Sequence, residues 1–289
     1  MSVLELFCDV DDFMRGFVPH LQASQLAAGK QRERAGQLYP SEVMTILIHF
    51  HQSHYRTFKA YYIEHVQAHL SSDFPHLVSY QRFVALMPGV LVALLAYLQS
   101  RYGACTGISF IDSTSLEVCD PKRIGQHRVF ATDARRGKTS MGWFFGFKLH
   151  LAVNDRGELL ACCLTPGNVD DRAPVPRMVK RLRGKLFGDR GYISAPLTQL
   201  LFEQGLHLIT RLRKTMQNQL MHLSDKLLLR KRAIIESIID QLKNISQIEH
   251  SRHRSPTNFV VHLIAGLLAY SHQDKKPGLH LDERALLAA

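Results

Sequence analysis

No uncharged apolar run in this chain of 289 residues reaches the roughly 20 residues that a membrane-spanning helix needs. The longest, residues 88–99 and 258–270, have the length of core helices. A basic start followed by an apolar stretch and a small-residue cleavage site is absent after Met1, so secretion is not expected. Cysteine is scarce. Cys8, Cys105, Cys119, Cys162 and Cys163 form no C-x-x-C pair, and their odd number argues against a disulfide framework. Nor do cysteines and histidines fall at zinc spacing. These absences predict a reducing, cytoplasmic setting and no membrane partner.

Two further chemistries lack their signatures. The string Arg136-Gly137-Lys138-Thr139 has the ending of a phosphate-binding loop, but Thr132 stands where that loop demands Gly, so no nucleotide cofactor is expected. Ser113 has no G-x-S-x-G elbow around it and is not read as a hydrolase nucleophile. Acidic residues are in short supply as well, with 25 Asp+Glu against 36 Lys+Arg and a net charge of +11. Residues 172–254 hold 17 basic and 6 acidic residues, which accounts for the whole surplus. A field of that sign attracts polyanions.

What is present divides in two. Residues 1–100 read as four or five helices, with helix-start signals at Pro40-Ser41-Glu42 and Ser79-Tyr80 and a turn at 71–75. The apolar stretches 43–50 and 84–98 are expected to pack on one another. This part has 7 basic and 8 acidic residues, fewer cations than a phosphate-binding module should carry. His49, His51 and His54 are read as core or surface residues, because no acid accompanies them. From Cys105 the pattern changes to strands and helices. A strand ending at Asp112 is followed by a polar loop over 120–140, then by a hairpin of 142–153 and 158–165 around Asn154-Asp155-Arg156-Gly157. Helix, strand, helix and strand follow at about 172–183, 185–188, 194–204 and 206–211.

Three acids stand out in this second part. Gly107-Ile108-Ser109-Phe110-Ile111-Asp112 is a buried-strand pattern that ends in a carboxylate, and a charge there needs compensation, most simply by a metal ion. Gly184-Lys185-Leu186-Phe187-Gly188-Asp189-Arg190-Gly191-Tyr192 repeats that situation at Asp189. Residues 230–243 read as a helix with apolar positions 234, 235, 238, 239 and 242 and with Glu236 on its polar side. At about 100° per residue, Arg232, Asp240 and Lys243 share the Glu236 face. Carboxylates are hard ligands that suit Mg²⁺ or Mn²⁺. Asp170 and Asp171 are read as caps of the following helix, with Asp171 the reserve metal ligand.

This set of acids, with Gly-Asp-Arg-Gly-Tyr around the second and Arg-x-x-x-Glu-x-x-x-x-x-x-Lys around the third, resembles the DDE transposases of insertion sequences. These belong to the retroviral-integrase, ribonuclease-H-like superfamily, and the resemblance is greatest to the insertion-sequence nine-eighty-two group. The blocks Gly142-Trp143-Phe144-Phe145-Gly146-Phe147-Lys148-Leu149-His150 and Thr165-Pro166-Gly167-Asn168-Val169-Asp170-Asp171-Arg172 support it. Leu229 is a departure, because such enzymes often carry Tyr at that place.

The resemblance implies an α/β catalytic domain of ribonuclease-H-like fold, a mixed sheet flanked by helices, over 105–270. An all-α N-terminal domain over 1–100, for end binding or dimerisation, would precede it, and a weakly ordered tail over 271–289 would follow. Asp112, Asp189 and Glu236 would be catalytic and would hold two Mg²⁺ or Mn²⁺ ions. Lys138, Lys148, Arg190, Arg232 and Lys243 would bind DNA. The partners implied are double-stranded DNA, as terminal inverted repeats and as target, and at least a second copy of the chain in a nucleoid-associated synaptic complex. The competing readings are a ribonuclease-H-like nuclease or junction resolvase, and a non-catalytic DNA-binding regulator.

Overall fold

A computed structural model describes residues 1–25, 38–139, 142–212, 220–249 and 253–279. The chain divides into two compact units. The first comprises Met1–Arg101, Leu242–Ile248 and His253–Gln273, and the second Tyr102–Gln241 with two short C-terminal stretches. One change of unit falls between Arg101 and Tyr102. Residues 253–270, which the sequence reading put with the strands, and residues 271–273 of the expected tail group with the N-terminal helices.

The first unit is helical among its described residues. Its elements are α1 (Val3–Gln25), α2 (Pro40–Phe50), α3 (Phe58–Ala60), α4 (Gln67–His69), α5 (Tyr80–Leu86), α6 (Leu91–Ser100) and, from the C-terminal part, α11 (Pro256–Ser271). Local chemistry sets the starts. The Glu42 carboxylate accepts the Tyr39 amide at 2.6 Å, and Ser79 and Ser255 accept from Arg82 and Asn258. A wider turn over Tyr61–Val66 joins α3 to α4, and a tight turn over Met87–Val90 joins α5 to α6. The continuous stretch Tyr80–Ser100 is therefore longer than its uncharged run suggested, and it is long and apolar enough to cross a membrane. Phe83, Met87, Val90, Leu94, Tyr97 and Leu98 from it are nevertheless buried in the protein. α11 packs on α2, on α6 and on the Met87–Val90 turn.

The second unit is built on a mixed sheet: β1 (Ile108–Cys119), β2 (Arg135–Thr139), β3 (Gly142–Asn154), β4 (Leu159–Pro166), β5 (Gly184–Gly188) and β6 (Leu206–Thr210). β3 pairs antiparallel with β1 on one edge and with β2 and β4 on the other. β1, β5 and β6 run parallel. The helices are α7 (Val175–Met178), α8 (Ala195–Glu203), α9 (Leu223–Lys231) and α10 (Ala233–Asn244), the last reaching past Gln241 into the first unit. Ile111, Leu186 and Leu206 from the strands share one core with Val175, Val179, Leu197 and Leu201. Gly184 has φ +89°, and a side chain there would overlap the Gly107 carbonyl, so glycine lets β5 begin hard against β1.

Several elements differ from the sequence reading. β1 does not end at Asp112 but continues to Cys119, because its Ser and Thr residues keep pairing with β3. The expected polar loop contains a 3₁₀ turn (Pro121–Gln126) and the strand β2. Ser140, at the end of that loop, lies outside the described residues, as do residues 280–289 of the expected tail. Residues 274–279 are placed, with the Leu279 amide donating to the Asp155 carbonyl at 2.6 Å. The helix expected over 172–183 is the short α7, after which the chain turns at Leu182 toward Gly184. The helix expected over 230–243 is broken at Arg232 between α9 and α10.

Candidate active site

Strand register brings the first two acids together. Phe110 on β1 pairs with Phe187 on β5, and their rings lie 5.5 Å apart. Asp112, within β1, and Asp189, just past the end of β5, each follow their phenylalanine by two residues, so both lie at the same end of the parallel pair. Each is oriented by the backbone. The Ser113 amide donates to Asp112 Oδ1, and the Gly191 amide to Asp189 Oδ1, both at 2.8 Å. The second bond caps the turn Arg190–Tyr192.

Arg232 brings in the third acid. From the α9–α10 break its guanidinium forks, with one nitrogen 3.0 Å from Asp112 Oδ2 and another 2.5 Å from Glu236 Oε1. The Arg232 and Asp112 side chains are 20% and 21% exposed, whereas Glu236 is 56% exposed. Burial therefore governs Asp112 and pushes its carboxyl above the usual range. The Ser113 amide and the Arg232 charge oppose that rise, and the neighbouring Asp189 charge adds to it. Ile234, Ile235, Ile238 and Leu242 are buried, as the helical pattern predicts, while Ile239 is half-buried.

Tyr192 is a component that the sequence reading left without a role. It is buried, and burial together with the charges of Asp112, Asp171 and Asp189 holds its phenol far above the ordinary value. Its buried hydroxyl has no hydrogen-bond partner among the described residues. The Gly-Asp-Arg-Gly-Tyr string carried the signal, since a turn of that length returns the ring toward the acid that caps it. Asp171 does not cap a helix. It pairs with Lys148 at 3.0 Å, and the Lys148 ammonium also donates to the Val169 carbonyl at 3.0 Å. Asp170 binds its own neighbour Arg172, whose guanidinium holds the carboxyl below the usual range. Next to this pair the buried His150 meets the Thr165 hydroxyl at 2.8 Å, and burial lowers its imidazole to about 4.

The residues expected to bind DNA thus differ in availability. Lys138 and Arg190 are exposed, whereas Lys148 is committed to Asp171 and Arg232 to the two acids. Lys243 is on α10 in the part that belongs to the first unit.

An α/β domain whose parallel strands deliver two carboxylates at one end, with a third on a following helix, has the design of a phosphodiester-processing site. The family described as Transposase DDE domain matches residues 102–256, more than half of the chain, and the chain belongs to that family. The match supports a ribonuclease-H-like fold for the second unit, a polynucleotidyl-transferase type of activity and DNA as the substrate. No curated protein matches the chain.

Domains of this family generally use divalent metal ions. The donors fit such an ion in chemistry, since all three are carboxylates. Their present arrangement has the Arg232 guanidinium between Asp112 and Glu236. Among the described residues no three His, Cys, Asp or Glu side chains gather closely enough to hold an ion.

Proposed function

We propose that this protein is an insertion-sequence transposase, of the nine-eighty-two type, that cleaves DNA at terminal inverted repeats and joins the freed 3′-OH to target DNA. Asp112, Asp189 and Glu236 are its catalytic carboxylates. The observation that carries this reading is the meeting of Asp112 and Glu236 on one guanidinium beside Asp189, inside a Transposase DDE domain.

The three carboxylates would hold Mg²⁺ or Mn²⁺, as two ions, which when bound lower the pKa of an attacking oxygen and stabilise the leaving one. The chain's own part is preorganisation. Backbone amides fix one oxygen of Asp112 and one of Asp189, so that neither carboxylate has to be oriented when the substrate arrives. In the first reaction water attacks the phosphodiester and the 3′ oxygen leaves, taking a proton. In the second the 3′-OH gives up its proton and attacks a phosphodiester of the target, whose own 3′ oxygen leaves and takes a proton. No covalent bond to the protein forms, so no nucleophilic side chain is required. Arg190, exposed and directly after Asp189, would hold a phosphate beside the carboxylates. The helical first unit serves end recognition or dimerisation, and the active nucleoid-associated complex contains at least two chains, because two ends must be joined to one target.

Asp112→Ala, Asp189→Ala and Glu236→Ala should each abolish Mg²⁺-dependent cleavage and joining while DNA binding is retained. Substantial activity in one of the three would remove that residue from the set and make Asp171 the next candidate. A precut end with a free 3′-OH, offered with a plasmid, separates this reading from a nuclease. Cleavage without any transfer would favour the nuclease.

A further inference from the structure

The second unit also carries a pocket that the carboxylate chemistry leaves unused. Trp143, the only tryptophan in the chain, opens β3 and is 64% exposed. A single apolar side chain on a surface needs no explanation, but three features set this one apart. Lys138 lies directly opposite on β2 with its ammonium 5.6 Å from the ring centre, a cation over an aromatic face. Arg136, two residues before Lys138 on the same strand, falls on the same face of the sheet. Beside the indole is a cavity of about 240 Å³ lined by Pro121, Ile124, Arg136, Trp143 and Phe144.

The strands beneath the slot are held by packing on the other face of the sheet. Phe144 is 2% exposed and packs across Gly137, where a side chain would collide with its ring. The stretch of chain that supplies the slot is cationic: Lys122, Arg123, Arg128 and Arg135 are exposed, with Asp120 and Asp133 as its acids. A flat apolar recess with an aromatic wall and an arginine at its edge, in a cationic field, has the chemistry of an unstacked nucleobase on a polyanionic strand. A fully paired duplex hides its base faces and would use the cations alone. An acidic protein surface would leave the recess empty.

We propose that this pocket receives one unpaired base of a DNA strand, stacked on Trp143, with Arg136 and Lys138 on the flanking phosphates. The inference rests on the reading of DNA as substrate, and the test separates the two. The full chain, without divalent metal, is titrated with two end-labelled duplexes of identical sequence, one of which carries a single unpaired thymine. Anisotropy reports binding. The fluorescence of the sole tryptophan reports stacking.

The expected result is that both duplexes bind, that the bulged one binds about tenfold more tightly, and that only it quenches Trp143 at saturation. Trp143→Ala, at an exposed position on a paired strand, should bind both duplexes equally, and Trp143→Phe should recover part of the preference. Equal affinities with unchanged fluorescence, or a preference that survives Trp143→Ala, would overturn the pocket assignment and leave DNA binding intact. If neither duplex binds at low salt, DNA binding itself fails and the pocket proposal fails with it.

Discussion

Arg232 occupies a position between Asp112 and Glu236 that a cation must fill, because two carboxylates brought together while one is largely out of water repel strongly. Both of its bonds are charge-assisted and draw on the planar fork of the guanidinium. Removing that charge without shortening the side chain to a methyl should therefore leave a better site for a divalent ion. In the absence of DNA, Arg232→Gln should bind Mn²⁺ several-fold more tightly than the parent, as read by calorimetry or by the free-ion resonance signal. An unchanged Mn²⁺ affinity would mean that the guanidinium does not compete for this position. The acids themselves were legible in the sequence, since each ends an apolar stretch or lies on the polar side of an apolar helix. The fork was only half legible. Four residues separate Arg232 from Glu236, which reads as an ordinary helical ion pair, whereas the bond to Asp112 depends on how α10 meets β1. The Lys148–Asp171 bond was not legible for the same reason, because Asp171 comes from a loop whose course no local pattern fixes.

At the scale of elements, the pieces read correctly were those with a strong pattern: the β3–β4 hairpin, β5, α8 and β6. β2 was missed because Arg-Arg-Gly-Lys-Thr has no apolar alternation. It is a short, charged edge strand of the kind that resists pairing with other chains. Gly146 explains part of the Gly-Trp-Phe-Phe-Gly-Phe-Lys block in physical terms. It lies opposite both Glu117 on β1 and Arg135 on β2, next to the register shift at the end of β1. A Cβ there would overlap the Leu116 carbonyl oxygen and press on the Glu117 backbone at 3.2 Å. Backbone cannot move aside as a side chain can, so Gly146→Ala should destabilise the second unit by about 1–3 kcal/mol. Urea unfolding followed by Trp143 fluorescence should show the midpoint fall, and an unchanged midpoint would show that the two strands separate at little cost.

At the scale of the whole molecule, the family match and the division of the chain share one boundary. The match begins at Tyr102, where the second unit begins, and ends at Pro256, where α11 begins. The sequence reading carried α11 into the catalytic domain because it follows Glu236 closely and is apolar on all sides, and such a helix announces burial without saying in which core. Twelve of its residues, from Phe259 to Ser271, are buried. His262 and the loop carbonyl of Ser246 both meet His51 on α2, so the C-terminal segments are tied to the N-terminal helices by polar bonds as well as by packing. Gly266 lets this helix approach closely, since a Cβ there would lie 2.5 Å from the Ile248 methyl. Leu267 is fully buried on the same helix. Its truncation should cost the transfer energy of the lost methyl groups plus a cavity term, about 2–5 kcal/mol. If α11 closes the core of the helical unit, Leu267→Ala should lower the urea midpoint of the helical circular-dichroism signal by an amount consistent with that loss. A midpoint that stays within error of the parent would show α11 to be dispensable to the first unit and would return it to the catalytic domain where the sequence had placed it.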